Sequence, residues 1–160
     1  MRSRFCNFGG LLLAMQLLSA QGTQPAAPAK AEDFFRAIRE NDLTALRALA
    51  AKADLAAVRD GLGMTPLHYA ATYGSTESVG ILLDRGADPN ARNSGDVTPL
   101  IYAGYSLEKT RLLIEKGADV NARARNGATA LIVAASVHNN AATVRYLLEK
   151  GADLKAARER

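Results

Sequence analysis

The residues of this chain that could do chemistry are two histidines, one cysteine and an aspartate that recurs. A histidine can act as a general base or a metal ligand near neutral pH. His68 lies inside Thr65-Pro66-Leu67-His68-Tyr69-Ala70-Ala71, and His138 stands beside Asn139 and Asn140. Neither has cysteines or carboxylates around it at metal-ligand spacing. Gly-Ala-Asp occurs at 86–88, 117–119 and 151–153. Aspartates so far apart, on separate units, would not converge the six or more oxygens that calcium takes, so turn formation is the expected task. Gly9-Gly10 and Gly61-Leu62-Gly63 do not open a strand-to-helix phosphate loop. No catalytic residue, cofactor site or metal site is therefore expected.

The same residues make better sense as parts of a repeat. Thr65–Ala71 recurs as Thr98-Pro99-Leu100-Ile101-Tyr102-Ala103-Gly104 and as Thr129-Ala130-Leu131-Ile132-Val133-Ala134-Ala135. Each copy is followed by an apolar triplet (81–83, 112–114, 146–148) and then by Gly-Ala-Asp. Self-similarity at a period of 20 to 50 residues signals a stack of units, none of which can bury its apolar face alone. Thr65, Thr98 and Thr129 are expected to cap a helix through the hydroxyl, with Pro66 and Pro99 at the first helical position. Val79-Leu82-Leu83, Thr110-Leu113-Ile114 and Val144-Leu147-Leu148 give the i, i+3, i+4 stripe of a second, half-buried helix. Gly86, Gly117 and Gly151 are expected to end it with positive φ. Gly74 and Asn41 occupy the turn between the two helices, with Asn139-Asn140 in the last unit; a left-handed turn is expected there. The third unit is two residues short in this turn, at Ser106-Leu107, and the fourth is one residue long.

Thr65–Ala71 resembles the signature of the ankyrin repeat, and the likeness runs from about Glu32 to the C-terminus. It implies an all-α repeat solenoid of about four helix-turn-helix units with β-hairpin connections, spanning 32–64, 65–97, 98–128 and 129–160. The first unit, with its helices within Phe34–Leu49, lacks the Thr-Pro start and reads as an N-terminal cap. The resemblance gives His68 a hydrogen-bonding role between adjacent repeats. It also implies a protein-binding surface on the hairpin tips and the outer part of each first helix. In this chain that surface takes in Leu62, Met64, Thr72 and Tyr73; then Ser94, Val97, Tyr105 and Ser106; then Asn126, Ser136 and Val137. Arg59, Arg92 and Arg123 share one repeat column, with Arg125 beside the last, and stacking would align them as a basic ridge. Arg92, Arg123 and Arg125 join the candidate face.

The chain begins differently. Arg2 and Arg4 precede an apolar run from Phe8 to Leu18 and then Ser19-Ala20-Gln21-Gly22. That order describes a secretory signal peptide over 1–22, cleaved near Ala20 or Gly22, and the run is too short for a membrane-spanning helix. Residues 23–31 form a Pro/Ala-rich linker. The only cysteine, Cys6, falls in the leader, so no disulfide is expected in the mature chain. Without Arg2 and Arg4 the chain holds 18 basic residues against 16 acidic. So small an excess does not argue for nucleic acid or a membrane. The expectation is a monomeric, non-enzymatic scaffold in the periplasm or outside the cell that binds another protein. Its likeness to periplasmic bacterial members of the family that accompany oxidative-stress enzymes such as catalase implies support for an exported enzyme. A secreted effector acting on host proteins, or an enzyme with an unrecognised groove, are the alternatives.

Overall fold

The computed structural model of the chain describes residues 30–157. The expected leader and the linker as far as residue 29 lie outside the described residues. Helices follow one another in pairs: α1 (Ala31–Arg39) and α2 (Leu43–Ala50), α3 (Pro66–Tyr73) and α4 (Thr76–Asp84), α5 (Pro99–Ala103) and α6 (Leu107–Glu115), α7 (Ala130–Ala135) and α8 (Ala141–Glu149). A single 3-10 turn, Leu154–Ala157, follows. The first helices of the pairs pack in one row, α1 on α3 on α5 on α7, and the second helices in another, α2 on α4 on α6 on α8.

Short polar side chains start most of these helices by accepting an orphan N–H of the first turn. Asp42, Ser75, Ser106 and Thr129 do so for α2, α4, α6 and α7. Thr65 and His68 form a reciprocal capping box at α3, with Pro66 at the first helical position. Thr98 departs from the expectation. It makes no side-chain cap to α5, and its hydroxyl is buried without a partner among the described residues. The N–H that the hydroxyl would otherwise receive, that of Ile101, goes instead to the Thr98 carbonyl at 3.1 Å, whereas Thr129, also with an isoleucine three residues on, keeps its cap.

At the other end of the second helices Gly86, Gly117 and Gly151 take φ of 83°, 90° and 89°. The alanine after each sends its N–H back to a core leucine carbonyl: Ala87 to Leu82, Ala118 to Leu113 and Ala152 to Leu147, at 2.9–3.0 Å. This closes the helix in a Schellman turn. Asn41 and Asn139 are left-handed as expected, with φ of 51° and 60°. Gly74 is not: its φ is −84°. What requires glycine there is space, since an added Cβ would lie 3.0 Å from Ala70 Cα and from Ile38 Cγ2.

The core runs as columns along the stack. Leu67, Leu100 and Leu131 lie buried in the inner row, and Leu82, Leu113 and Leu147 in the outer row. Ala70, Ala103 and Ala134 are buried to 1% exposure or less, and their small size lets inner and outer helices approach. Phe34, Ile38 and Leu46 close the first unit. Burying each large side chain is worth about 1.5–3 kcal/mol. No strand occurs among the described residues. The expected hairpins are looser fingers, each held by a bond across its base: Asp60 N–H to Met64 O, Asn93 N–H to Val97 O, and Ala124 N–H to Ala128 O. Successive fingers touch through Ser94 N–H to Leu62 O and Arg125 N–H to Gly95 O, both at 2.9 Å.

The third unit is shortened in its first helix, which has five residues where α3 has eight, and the turn that follows is one residue longer rather than tighter. Two side chains, Thr110 and Asn140, meet the carbonyls at its end. Thr110, standing in the column of Val79 and Val144, donates to Ala103 O at 3.0 Å. Asn140 donates to Gly104 O at 2.8 Å and to Ala134 O at 3.1 Å. Lys109 reaches further, to Ala70 O and Ala71 O of α3.

Candidate functional site

Two repeated polar devices fix where the surface residues stand. Asn90 donates through its amide to Gly117 O at 2.9 Å and accepts Asp119 N–H at 2.8 Å. Asn121 does the same one unit later with Gly151 O and Asp153 N–H. Each asparagine thus staples its own unit to the Gly-Ala-Asp turn of the next. The aspartates of those turns accept the N–H two residues on, as in Asp88 with Asn90 and Asp119 with Asn121, so they do form turns. These asparagines were not among the expected site residues, although each stands two residues after one of the first two Gly-Ala-Asp copies.

The finger arginines are the second device. Arg59 donates to Ala56 O, to Gly63 O and, across to the next unit, to Arg92 O at 2.9 Å. Arg92 donates to Asp96 O and to Arg123 O at 3.1 Å. The expected ridge is therefore a ladder of guanidinium-to-carbonyl bonds that ties finger to finger. Arg59 and Arg92 remain exposed, but their N–H groups are engaged within the stack. Arg125 pairs with Asp96 at 3.3 Å across the exposed finger surface.

His68 ties the start of α3 to the finger that leads into the third unit, so the expected bond between repeats falls at the end of its own unit. Its Nδ1 accepts from Thr65 N–H at 3.1 Å and from the Thr65 hydroxyl at 2.8 Å. The proton must then sit on Nε2, which donates to Val97 O at 2.9 Å. Every nitrogen is satisfied only in the neutral ring. Burial, with the Arg59 charge adding to it, holds the pKa below its ordinary value despite the bond to Val97. A fully buried imidazole so committed has no lone pair or proton to offer a substrate.

Large apolar and aromatic side chains are among those left outward. Leu62, at the tip of the first finger, is 65% exposed; Tyr73, ending α3, is 64% exposed; Tyr105, after α5, is 62% exposed. Tyr73 is propped from behind. Its ring lies 5.8 Å from Tyr69, which stacks on Phe35 at 3.5 Å and 10°. Burial raises the pKa of Tyr69, assisted by Asp60. Tyr102 accepts from Asn93 Nδ2 at 3.2 Å, tying the next inner helix to its finger. Rings held in this way lose little rotamer freedom on binding.

Met64 is a correction: it is only 8% exposed. Gly63, with φ of 73°, reverses the finger, and both Met64 backbone groups are bonded to Asp60, which turns the side chain into the stack. The other candidates divide. Ser94, Asn126 and Ser136 are exposed, while Thr72, Val97, Ser106, Arg123 and Val137 are half-buried. Thr72 donates to His68 O, Ser136 to Val133 O and Ser106 to Glu108, whereas Asn126 accepts Ala128 N–H. Val137, Val144 and Leu148 line an open hollow on the last unit. Arg145, Glu149 and Lys150 are exposed on α8, and Tyr146 lies between the Arg111 and Lys150 cations, 5.0 and 5.4 Å from its ring centre.

Among the described residues no group of three or more His, Cys, Asp or Glu could hold a metal ion. No described helix is long and apolar enough to cross a membrane. The site offers shape, aromatic surface and satisfied polar groups.

Comparison with known proteins agrees with this architecture. The family model described as "Ankyrin repeat" matches residues 62–94, and "Ankyrin repeats (3 copies)" matches residues 92–158. Among similar proteins, a transient receptor potential cation channel subfamily A member 1 homolog of Caenorhabditis elegans is 46% identical over 42% of this chain and 6% of its own length. A 2-5A-dependent ribonuclease of Mus musculus is 36% identical over 52% of this chain and 11% of its own. The E3 ubiquitin-protein ligase XB3 of Oryza sativa subsp. japonica is 42% identical over 51% of this chain and 19% of its own. The matched parts are small fractions of these relatives, whose stated activities therefore remain theirs. With its signature, its paired helices and two adjoining family models covering more than half its length, the chain belongs to the ankyrin-repeat family.

Proposed function

We propose that this chain is exported and binds another protein reversibly on the face that carries Leu62, Tyr73 and Tyr105, lending that partner support without chemistry of its own. Ankyrin repeats imply a protein-interaction scaffold. The observation that carries the finer reading is that large apolar side chains stay exposed on the fingers and inner-helix ends while neighbouring polar groups are bonded within the stack. Aromatic anchors in such settings commonly dominate binding energy. Export is supported by the Arg2/Arg4 and Phe8–Leu18 leader. The partner is accordingly an exported protein, and an exported enzyme of stress protection is the specific form of the proposal.

Affinity capture from a periplasmic extract tests it, with Tyr73→Ala/Tyr105→Ala as the matched bait. The expected result is a defined partner retained by the unmodified protein and lost by the double variant. Equal retention by both would place binding elsewhere. Fractionation tests export: a mature mass starting near Gln21 or Thr23 supports it, and an intact Met1 contradicts it.

A further inference from the structure

The two exposed tyrosines sit on different units, and one lysine joins the backbones beneath them. Lys109 opens α6 of the third unit, in the column that holds the buried hydroxyls Ser78 and Thr143 in the neighbouring units. Its ammonium leaves its own unit and donates to Ala70 O at 3.3 Å and Ala71 O at 3.1 Å. Both carbonyls belong to the last turn of α3, two and three residues before Tyr73. The backbone N–H of Lys109 meanwhile donates to Ser106 Oγ, the cap that follows Tyr105. So one residue is bonded at its tip to the segment carrying Tyr73 and at its root to the turn carrying Tyr105.

A small hydroxyl residue at this position could not reach across. In the second unit, where the first helix is full length, Ser78 bonds only to its own cap Ser75. Lys109 follows the shortest of the first helices, α5, and reaches past it to the end of α3. Ala70 O already accepts Gly74 N–H at 3.0 Å, so the ammonium adds a second bond there, and a cation beside the last carbonyls meets the negative end of the helix.

We propose that Lys109 is a positioning residue: it sets the separation and relative orientation of Tyr73 and Tyr105, and so the spacing of anchors that a partner must match. This rests on the reading that those tyrosines form the binding face. It concerns geometry already present in the free protein, and can be tested without the partner. The half-buried ammonium is held below its ordinary pKa by desolvation.

Spin labels at Tyr73→Cys and Tyr105→Cys, in a Cys6→Ser background, read the separation directly. Lys109, Lys109→Met and Lys109→Arg are compared, with circular dichroism confirming the fold. The expected result is one narrow distance for Lys109, a shifted and broadened distribution for Met, and recovery of the narrow one with Arg. An unchanged distance in the Met variant overturns the proposal, even if its melting temperature falls, because Lys109 would then be merely stabilising. Failure of Arg to restore a distance lost in Met also overturns it, since hydrogen bonding would not be the cause. Should the Met variant not fold, the Lys109 ammonium protons of the unmodified protein read the same bonds by NMR. Slowed exchange relative to the surface lysines supports the bridge, and equal exchange refutes it.

Discussion

Thr65 and Thr98 occupy the same position in successive units and have opposite energetics. Thr65 trades bonds with His68, whereas Thr98 buries a hydroxyl that nothing meets. An unpaired buried hydroxyl costs more than a near-isosteric methyl. Thr98→Val is therefore expected to stabilise the protein by about 1 kcal/mol, and Thr65→Val to destabilise it by about 1–2 kcal/mol; urea unfolding midpoints measure both. His68 adds a pH dependence whose sign follows from its burial. Its folded pKa is lowered, so the unfolded chain binds the proton more readily. Its contribution is complete above about pH 6.5 and is lost as pH falls from there towards the lowered folded value. The slope should not exceed about 1.4 kcal/mol per pH unit for one proton, and His68→Leu should remove it from the stability profile above pH 5, whatever it does to overall stability. The role of His68 was legible because it sits within a complete signature. The isolation of Thr98 was not legible in the same alignment, because Thr129 also has an isoleucine three residues on and keeps its cap.

At the scale of elements, what the sequence made legible was whatever depends on neighbours along the chain. Helix starts at Pro66 and Pro99, Schellman turns at Gly86, Gly117 and Gly151, and the leucine columns all follow from local pattern. What it hid was which carbonyl a long side chain meets across a unit boundary. The Arg59–Arg92 ladder looked like an outward basic ridge beside the candidate face, and Lys109 and Thr110 looked like ordinary helix residues, because residue type does not reveal the carbonyls opposite. Met64 looked exposed because finger residues often are, and only the path through Gly63 turns it inward. Gly74 looked like a turn glycine and is a packing one. Gly74→Ala is accordingly expected to cost about 1–3 kcal/mol through overpacking against Ala70 and Ile38, read as a lower melting temperature.

Across the whole molecule, stability is a chain of nearest-neighbour couplings, and each coupling has a named staple. Asn121→Ala removes both bonds from the third unit to the turn of the fourth. It should cost about 1 kcal/mol per lost bond at most, and hydrogen exchange should accelerate at Asp153 and in α8 while α1 to α4 stay protected. A uniform acceleration would mean that the stack opens as one body. The same rigidity gives the exposed tyrosines their value, since a face already ordered loses little entropy when a partner arrives. Titration calorimetry of the captured partner against the unmodified protein, Tyr73→Ala/Tyr105→Ala and the outer-row control Tyr146→Ala tests that claim most directly. The double variant should lose about 2 kcal/mol or more of binding, with the control unchanged; equal affinity for all three proteins would contradict a binding face built on Tyr73 and Tyr105.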